Sequence, residues 1–345
     1  MTTTHTAPHT TGPARAAAPG PAPVAELRRG AIRVALRQHR WALRIAAVLT
    51  VLVAGAAAGT RWWMEATGAP LGGRSQVVNA LRTFVEPYGT GLLLLPLLVG
   101  AFVAGPLVAR ELESGTYKLA WTQSVSPARW LAVRLALPLT VVVTGALLLV
   151  AGYRLARAPF TGKPYWSFDW YQFGVYESLG PVTVAYCVLG VTAGALLGLL
   201  VRRAVVSMAV TAAVLGGVLA VMKTVRGGLW PVRTKTGDDA ADMSGMIQVW
   251  LHDAGWMDAS GVRIDTEPCA AAGIRALNAH PDPSDEVYGQ VFDACVKERG
   301  GTTQYVDYHT LADLWPLQLV ESGVVLALAV VAGALAFRVL RRMHG

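Results

Sequence analysis

GPVTVAYCVLGVTAGALLGLLVRRAVVSMAVTAAVLGGVLAVM, residues 180–222, is the stretch whose reading decides the fold. Two apolar runs, 181–201 and 204–222, are separated only by Arg202 and Arg203. Each approaches the roughly 20 residues that a helix needs to cross the hydrocarbon core of a bilayer. Lipid offers no hydrogen bonds, so an apolar segment within it must satisfy its own backbone and becomes helical. The stretch therefore reads as a tight membrane hairpin. Gly and Ala recur in both runs. Small residues let helices approach closely, so both are expected to pack inside a bundle.

Four further runs have the same character, roughly 43–63, 91–109, 131–153 and 318–337. Pro96 and Pro106 interrupt the second and Pro138 the third. Proline is tolerated in membrane helices where neighbours satisfy the freed backbone groups. Composition agrees: 53% of the 345 residues are hydrophobic and 15% charged, too apolar for an ordinary soluble domain. The formal net charge of +8 then has a membrane meaning, because Lys and Arg gather at cytoplasmic span ends. Arg28, Arg29, Arg33, Arg37 and Arg40 precede the first run. Arg110, Lys118 and Arg129 lie between the second and third, Arg202 and Arg203 between the fourth and fifth, and Arg338, Arg341 and Arg342 after the sixth. With six spans, all of these segments fall on one side, and both termini are cytoplasmic.

The expected fold is an all-α membrane protein of six transmembrane helices with a small, mainly helical extracellular domain between helices 5 and 6. Residues 1–24, built of Thr, Ala, Pro and Gly without an apolar stretch, read as a disordered cytoplasmic tail rather than a signal peptide. Residues 25–41 alternate Arg and apolar groups at helical spacing and read as an interfacial amphipathic helix, with a plain charged flank as the alternative. Residues 42–222 hold helices 1–5 with the connection 110–130, and 318–345 hold helix 6 and a short cytoplasmic tail.

The acid-rich segment 223–317 is too long for a structureless loop and reads as the extracellular domain. Apolar spacing in GMIQVWLHDAGWM (245–257) and DEVYGQVFDACVKERG (285–300) points to short amphipathic helices. Cys269 and Cys295 both lie here, on the oxidising side, so a disulfide between them is expected, free thiols being the alternative. Cys187, inside the fourth run, reads as a small core residue.

The chain contains no GxxxxGK[ST], HExxH, paired CxxC or GxSxG. His252, His280 and His309 match no zinc spacing and read as structural or solvated. Arg134, Glu177, Lys223 and Glu321 are placed near span ends, where long side chains reach water. With no ionisable group at mid-bilayer, a carrier powered through its own membrane core is disfavoured. Phe160, Tyr165, Trp166, Phe168, Trp170, Tyr171, Phe173 and Tyr176 crowd the connection 154–180. They read as an aromatic belt, with a gate or substrate-contact surface as the alternative.

The connection ARELESGTYKLAWTQSVSPARW, residues 109–130, is dense in charge, hydroxyl and aromatic groups. Ser114 is placed as an N-cap, Tyr117 to Trp121 as an apolar knob, and Ser126–Pro127 as the start of the next helix. This stretch resembles permease subunits of the ABC-2 exporter type, closest to actinobacterial permeases that work with a separate ATPase. The residues that carry the resemblance are Arg110, Glu111, Glu113, Gly115, Thr116, Leu119, Gln123, Val125, Ser126, Arg129, Trp130 and Leu131. Pro127 stands where a basic residue is common and Arg134 where Lys is common. A second block, 180–211, adds the Gly-rich span and the Arg-Arg turn.

The resemblance implies that Arg110, Glu111, Glu113, Ser114, Gly115, Thr116, Tyr117, Lys118 and Trp121 form an ATPase-coupling element. Glu111 and Glu113 would meet basic groups, and Tyr117 and Trp121 would fill a groove of the ATPase. It further implies a second permease subunit, identical or not, a membrane lipid setting and a bacterial plasma-membrane location. No nucleic acid, catalytic residue, metal or cofactor is expected in this chain, ATP and Mg being bound by the partner ATPase. A different class of function, a non-transporting sensor whose outer domain reads a ligand or peptide, is the alternative.

Overall fold

The computed structural model describes residues 76–115, 126–158, 169–237, 248–279 and 284–343, with Thr161 and nine isolated positions between Val48 and Ala66. The interfacial helix expected at 25–41 and most of the first run, 43–63, lie outside the described residues. The nine isolated positions are all helical and all exposed. Among the described residues, five helical segments are long and apolar enough to cross a membrane: Val85–Glu113, Pro127–Arg157, Val182–Val201, Ala204–Leu229 and Leu311–Arg342.

The first of these segments is composite. Helix α1 (Gln76–Leu98) passes through a π segment (Val99–Ala104) into α2 (Gly105–Glu113). Pro106, at the start of α2, has no N–H and its ring excludes a regular turn behind it. The chain widens just before it, and the Gly105 N–H donates to the Gly100 carbonyl, five residues back.

Helix α3 (Pro127–Arg157) begins as the sequence indicates, with Pro127 in its first turn and the Arg129 N–H donating to Ser126 Oγ at 3.4 Å. A single short turn, α4 (Val175–Ser178), precedes α5 (Val182–Val201). Arg202, left-handed at φ 55°, turns the chain into α6 (Ala204–Val225), which ends in a 3-10 turn, Arg226–Leu229.

Helix α5 is the hub of the bundle. Among the described residues it packs against every other long helix, and its glycines bring backbones together. A Cβ on Gly190 would lie 2.7 Å from the Pro96 carbonyl oxygen, and one on Gly194 2.7 Å from that of Gly100. The fourth apolar run is thus interior, as expected. The fifth is not. Gly216 and Gly217 of α6 face open space, and Val205, Val214 and Val221 are exposed. Composition alone does not separate the two, because small residues serve close packing on one helix and merely line the other.

The segment between α6 and the last helix corrects the expectation of a mainly helical domain. Strands β1 (Arg233–Thr236), β2 (Trp250–Met257), β3 (Arg263–Ile264) and β4 (Thr303–His309) form an antiparallel sheet in the order β1–β4–β2–β3. The stretch read as an amphipathic helix at 245–257 supplies β2. Its aromatic groups favour a pleated surface. Trp250 and His252, two residues apart, bring their rings within 6.4 Å, the period of a strand. Gly255 leaves room for the ring of Tyr305 on β4.

The second helical expectation is met by α8 (Asp285–Glu298), which pairs with α7 (Glu267–Ala279). A disulfide joins Cys269 of α7 to Cys295 of α8. Beyond β4, a 3-10 turn (Leu311–Asp313) leads into α9 (Leu314–Arg342).

Candidate functional site

The turns between spans collect at two ends of the bundle. At one end, Val108 and Leu112 of α2, Trp130 and Leu131 of α3, Leu199 of α5 and Leu340 of α9 form a single apolar cluster. This end holds the connection between α2 and α3, the Arg202–Arg203 turn and the basic end of α9. The basic segments of the described chain therefore do collect at one end. Two acids tie the end together. Glu111 Oε1 meets Arg134 Nη2 at 2.6 Å, linking α2 to α3. Glu113 Oε2 accepts from the Ala204 N–H at 3.1 Å, so a carboxylate satisfies a free amide at the positive start of α6.

Ser114 does not open a helix. Its N–H donates to the Arg110 carbonyl at 2.9 Å, closing α2, and Gly115 follows at φ 71° in the left-handed conformation that ends many helices. Short polar residues terminate helices as readily as they start them, and the motif alone does not give direction. Arg110 is exposed. Thr116, Tyr117, Lys118 and Trp121 lie outside the described residues.

The opposite end holds what the sequence reading missed. Glu177 and Glu321, expected to reach water, are 1% and 0% exposed, and both bind Arg226, itself 3% exposed. Arg226 Nη2 donates to Glu177 Oε1 at 2.6 Å and to Glu321 Oε1 at 3.1 Å, and its Nε donates to Glu321 Oε2 at 2.8 Å. Each carboxylate accepts a further hydrogen bond. The Gly174 N–H donates to Glu177 Oε2 at 2.6 Å, and Tyr186 Oη donates to Glu321 Oε1 at 2.8 Å. The guanidinium lies 3.8 Å from the centroid of the Tyr176 ring. Burial, followed by the Glu321 charge, pushes the Tyr176 hydroxyl up from its ordinary value, so it stays neutral.

Gln318 extends the network. Its Nε2 donates to the Tyr176 carbonyl and its Oε1 accepts from the Val182 N–H at 3.2 Å. Four elements thus meet in one polar knot: α4, α5, the 3-10 turn after α6, and α9. The signal was present in the sequence. Glu321 lies within an apolar run, and a carboxylate there requires a cation.

The sheet is fastened to this knot. His309 Nε2 donates to the carbonyl of Gly227, the neighbour of Arg226, at 3.0 Å. Trp170 Nε1 donates to the Gln248 carbonyl at 2.7 Å. Trp170 and Tyr176 are fully buried, so these two members of the expected aromatic belt are core residues. Phe173 remains exposed, and Phe160, Tyr165, Trp166 and Phe168 lie outside the described residues. Of the other two groups expected near water, Arg134 is half-buried in its pair with Glu111, while Lys223 is exposed beside the ring of Phe173. Cys187 is buried and free. Among the described residues, no group of His, Cys, Asp and Glu is arranged to hold a metal.

The segment that carries both blocks of sequence resemblance was compared with known families. Residues 72–226 match the family model described as ABC-2 membrane transporter related. Over these residues the chain is similar to that ABC-2 family. Neither the curated proteins nor the solved structures gave a match to the chain. The ABC-2 domain begins just before α1 and closes on Arg226. It contains the whole Glu111–Arg134 and Glu113–Ala204 end, together with two of the three charged groups of the buried knot. The third, Glu321, comes from α9, outside the matched residues, so the last helix contributes to the same polar core.

Proposed function

We propose that this chain is the permease subunit of an ABC exporter. A separate ATPase would bind ATP and Mg, and its hydrolysis would drive export across the bacterial plasma membrane. The single observation that carries this reading is the match of residues 72–226 to the ABC-2 family, over the segment that also contains the polar connection between α2 and α3. The connection 110–121 is the surface assigned to the ATPase, with Tyr117 and Trp121 as apolar anchors. Glu111 and Glu113 act there by holding the frame of the connection, since both already have partners within the chain. The pathway forms between two permease subunits, identical or not. The end that carries the Arg-Arg turn is cytoplasmic, and the sheet with its disulfide is outside, in agreement with the compartment in which disulfides persist.

The test is co-purification of the chain with its candidate ATPase, followed by hydrolysis measurements for wild type and for Tyr117→Ala/Trp121→Ala. Association that falls at least tenfold in the variant, with the helical content unchanged, is the expected outcome. Hydrolysis and binding indifferent to every change across 111–121 would overturn the coupling reading and favour a sensor whose outer domain reads a ligand.

A further inference from the structure

An apolar groove of about 220 Å3 runs along the side of the bundle. Leu189 and Leu196 of α5 lie in its floor, Val214 and Val218 of α6 form one wall, and Val331 and Leu335 of α9 form the other. No polar side chain lines it. It exists because α6 and α9 both pack on α5 yet scarcely touch each other. Such a space is not left as a void, because its walls would lose their dispersion contacts.

An alkyl chain fits, touching protein on three sides where ordinary boundary lipid touches one.

The end of the groove is basic. Arg338 follows Leu335 by one turn, and it stands seven residues after Val331, about 20° from the same face. Arg203 immediately precedes α6, at the same end of the bundle. Both are exposed, and neither has an ion-pair partner among the described residues. Glu113 accepts from the N–H of Ala204, the residue after Arg203. Helix α9 has no acid after Glu321, more than four turns before Arg338.

We propose that this groove binds one anionic phospholipid, with an acyl chain along α5 between α6 and α9 and the phosphate at Arg338 and Arg203. Contact on three sides supplies the residence, and the two guanidinium groups supply the headgroup selectivity. The proposal rests on the bundle and its charge, not on the partnership with an ATPase.

The test is native mass spectrometry of the full chain in non-ionic detergent, titrated with phosphatidylglycerol and, separately, phosphatidylcholine. Wild type is expected to retain one phosphatidylglycerol at least fivefold more than phosphatidylcholine. Arg203→Gln/Arg338→Gln should bring the two lipids to equal retention. Val331→Trp, which fills the groove from its exposed rim, should lower retention of both. Equal retention in the wild type would overturn the proposal without any variant, as would a preference that survives the double substitution or a Val331→Trp protein that binds as wild type does.

Discussion

Arg226 is the residue on which the sheet-bearing end of the bundle depends. Among the described residues, it is the only cation bonded to the two buried carboxylates, Glu177 and Glu321. A buried pair adds little net stability when intact, but removal of one partner leaves an uncompensated charge and costs about 3–5 kcal/mol. Arg226→Gln is therefore expected to lower the unfolding free energy by about that much, measured by denaturant unfolding in detergent. Glu321→Gln in the same background should restore part of the loss, because it removes one of the stranded charges.

At this scale the sequence was legible where one residue decides locally. The start of α3 at Ser126–Pro127 needs only a hydroxyl and a fixed φ. The Glu177–Arg226–Glu321 knot was not legible, because its members are 49 and 95 residues apart and meet only through the tertiary fold. Glu111 and Glu113 stood out by their charge and were assigned to an ATPase surface, whereas their bonds within the chain depend on how α2 meets α3 and α6.

Among the elements, α5 and α6 look alike in sequence and differ in what their glycines touch. Gly194→Ala places a methyl against the π segment and should cost about 1–3 kcal/mol, the range for overpacking. Gly216→Ala meets nothing and should be neutral or stabilising by up to about 1 kcal/mol, because alanine restricts the unfolded chain. Thermal unfolding of the two variants side by side checks both.

The α7–α8 pair has few buried residues: Cys269, Gly273 and Val296. A disulfide across such a small core stabilises by about 2–4 kcal/mol. Reduction should therefore raise amide exchange in α7 and α8 while the spans stay protected, as hydrogen-exchange mass spectrometry would show. Helix α8 was legible from its apolar spacing, and β2 was not. In β2, aromatic groups at both helical and strand spacings left the period ambiguous, and the cross-strand partner that resolves it, β4, lies about fifty residues away.

For the whole molecule, composition located five of the six expected apolar runs, and these are helical among the described residues, since lipid leaves an apolar chain few choices. The sidedness expected from Arg and Lys yields a test. Thr236→Cys on the sheet should react with a membrane-impermeant maleimide on intact cells. Ser114→Cys, at the close of α2, should react only after lysis. The converse pattern would invert the topology. What composition could not supply was the division of the bundle into a crowded helix and a lipid-facing one, because that depends on which faces meet.

The π segment at Val99–Ala104 has a mechanical consequence. A π turn accommodates one more residue than an α turn, and each residue of an α-helix corresponds to about 100° about the axis. If the surplus residue passed through into the regular helix, α2 would rotate as a screw by roughly that angle against α1. Glu111 and Glu113 would swing away from Arg134 and Ala204 with no change in the helices above. Such a rotation would turn the connection at the basic end while leaving the buried knot at the other end in place.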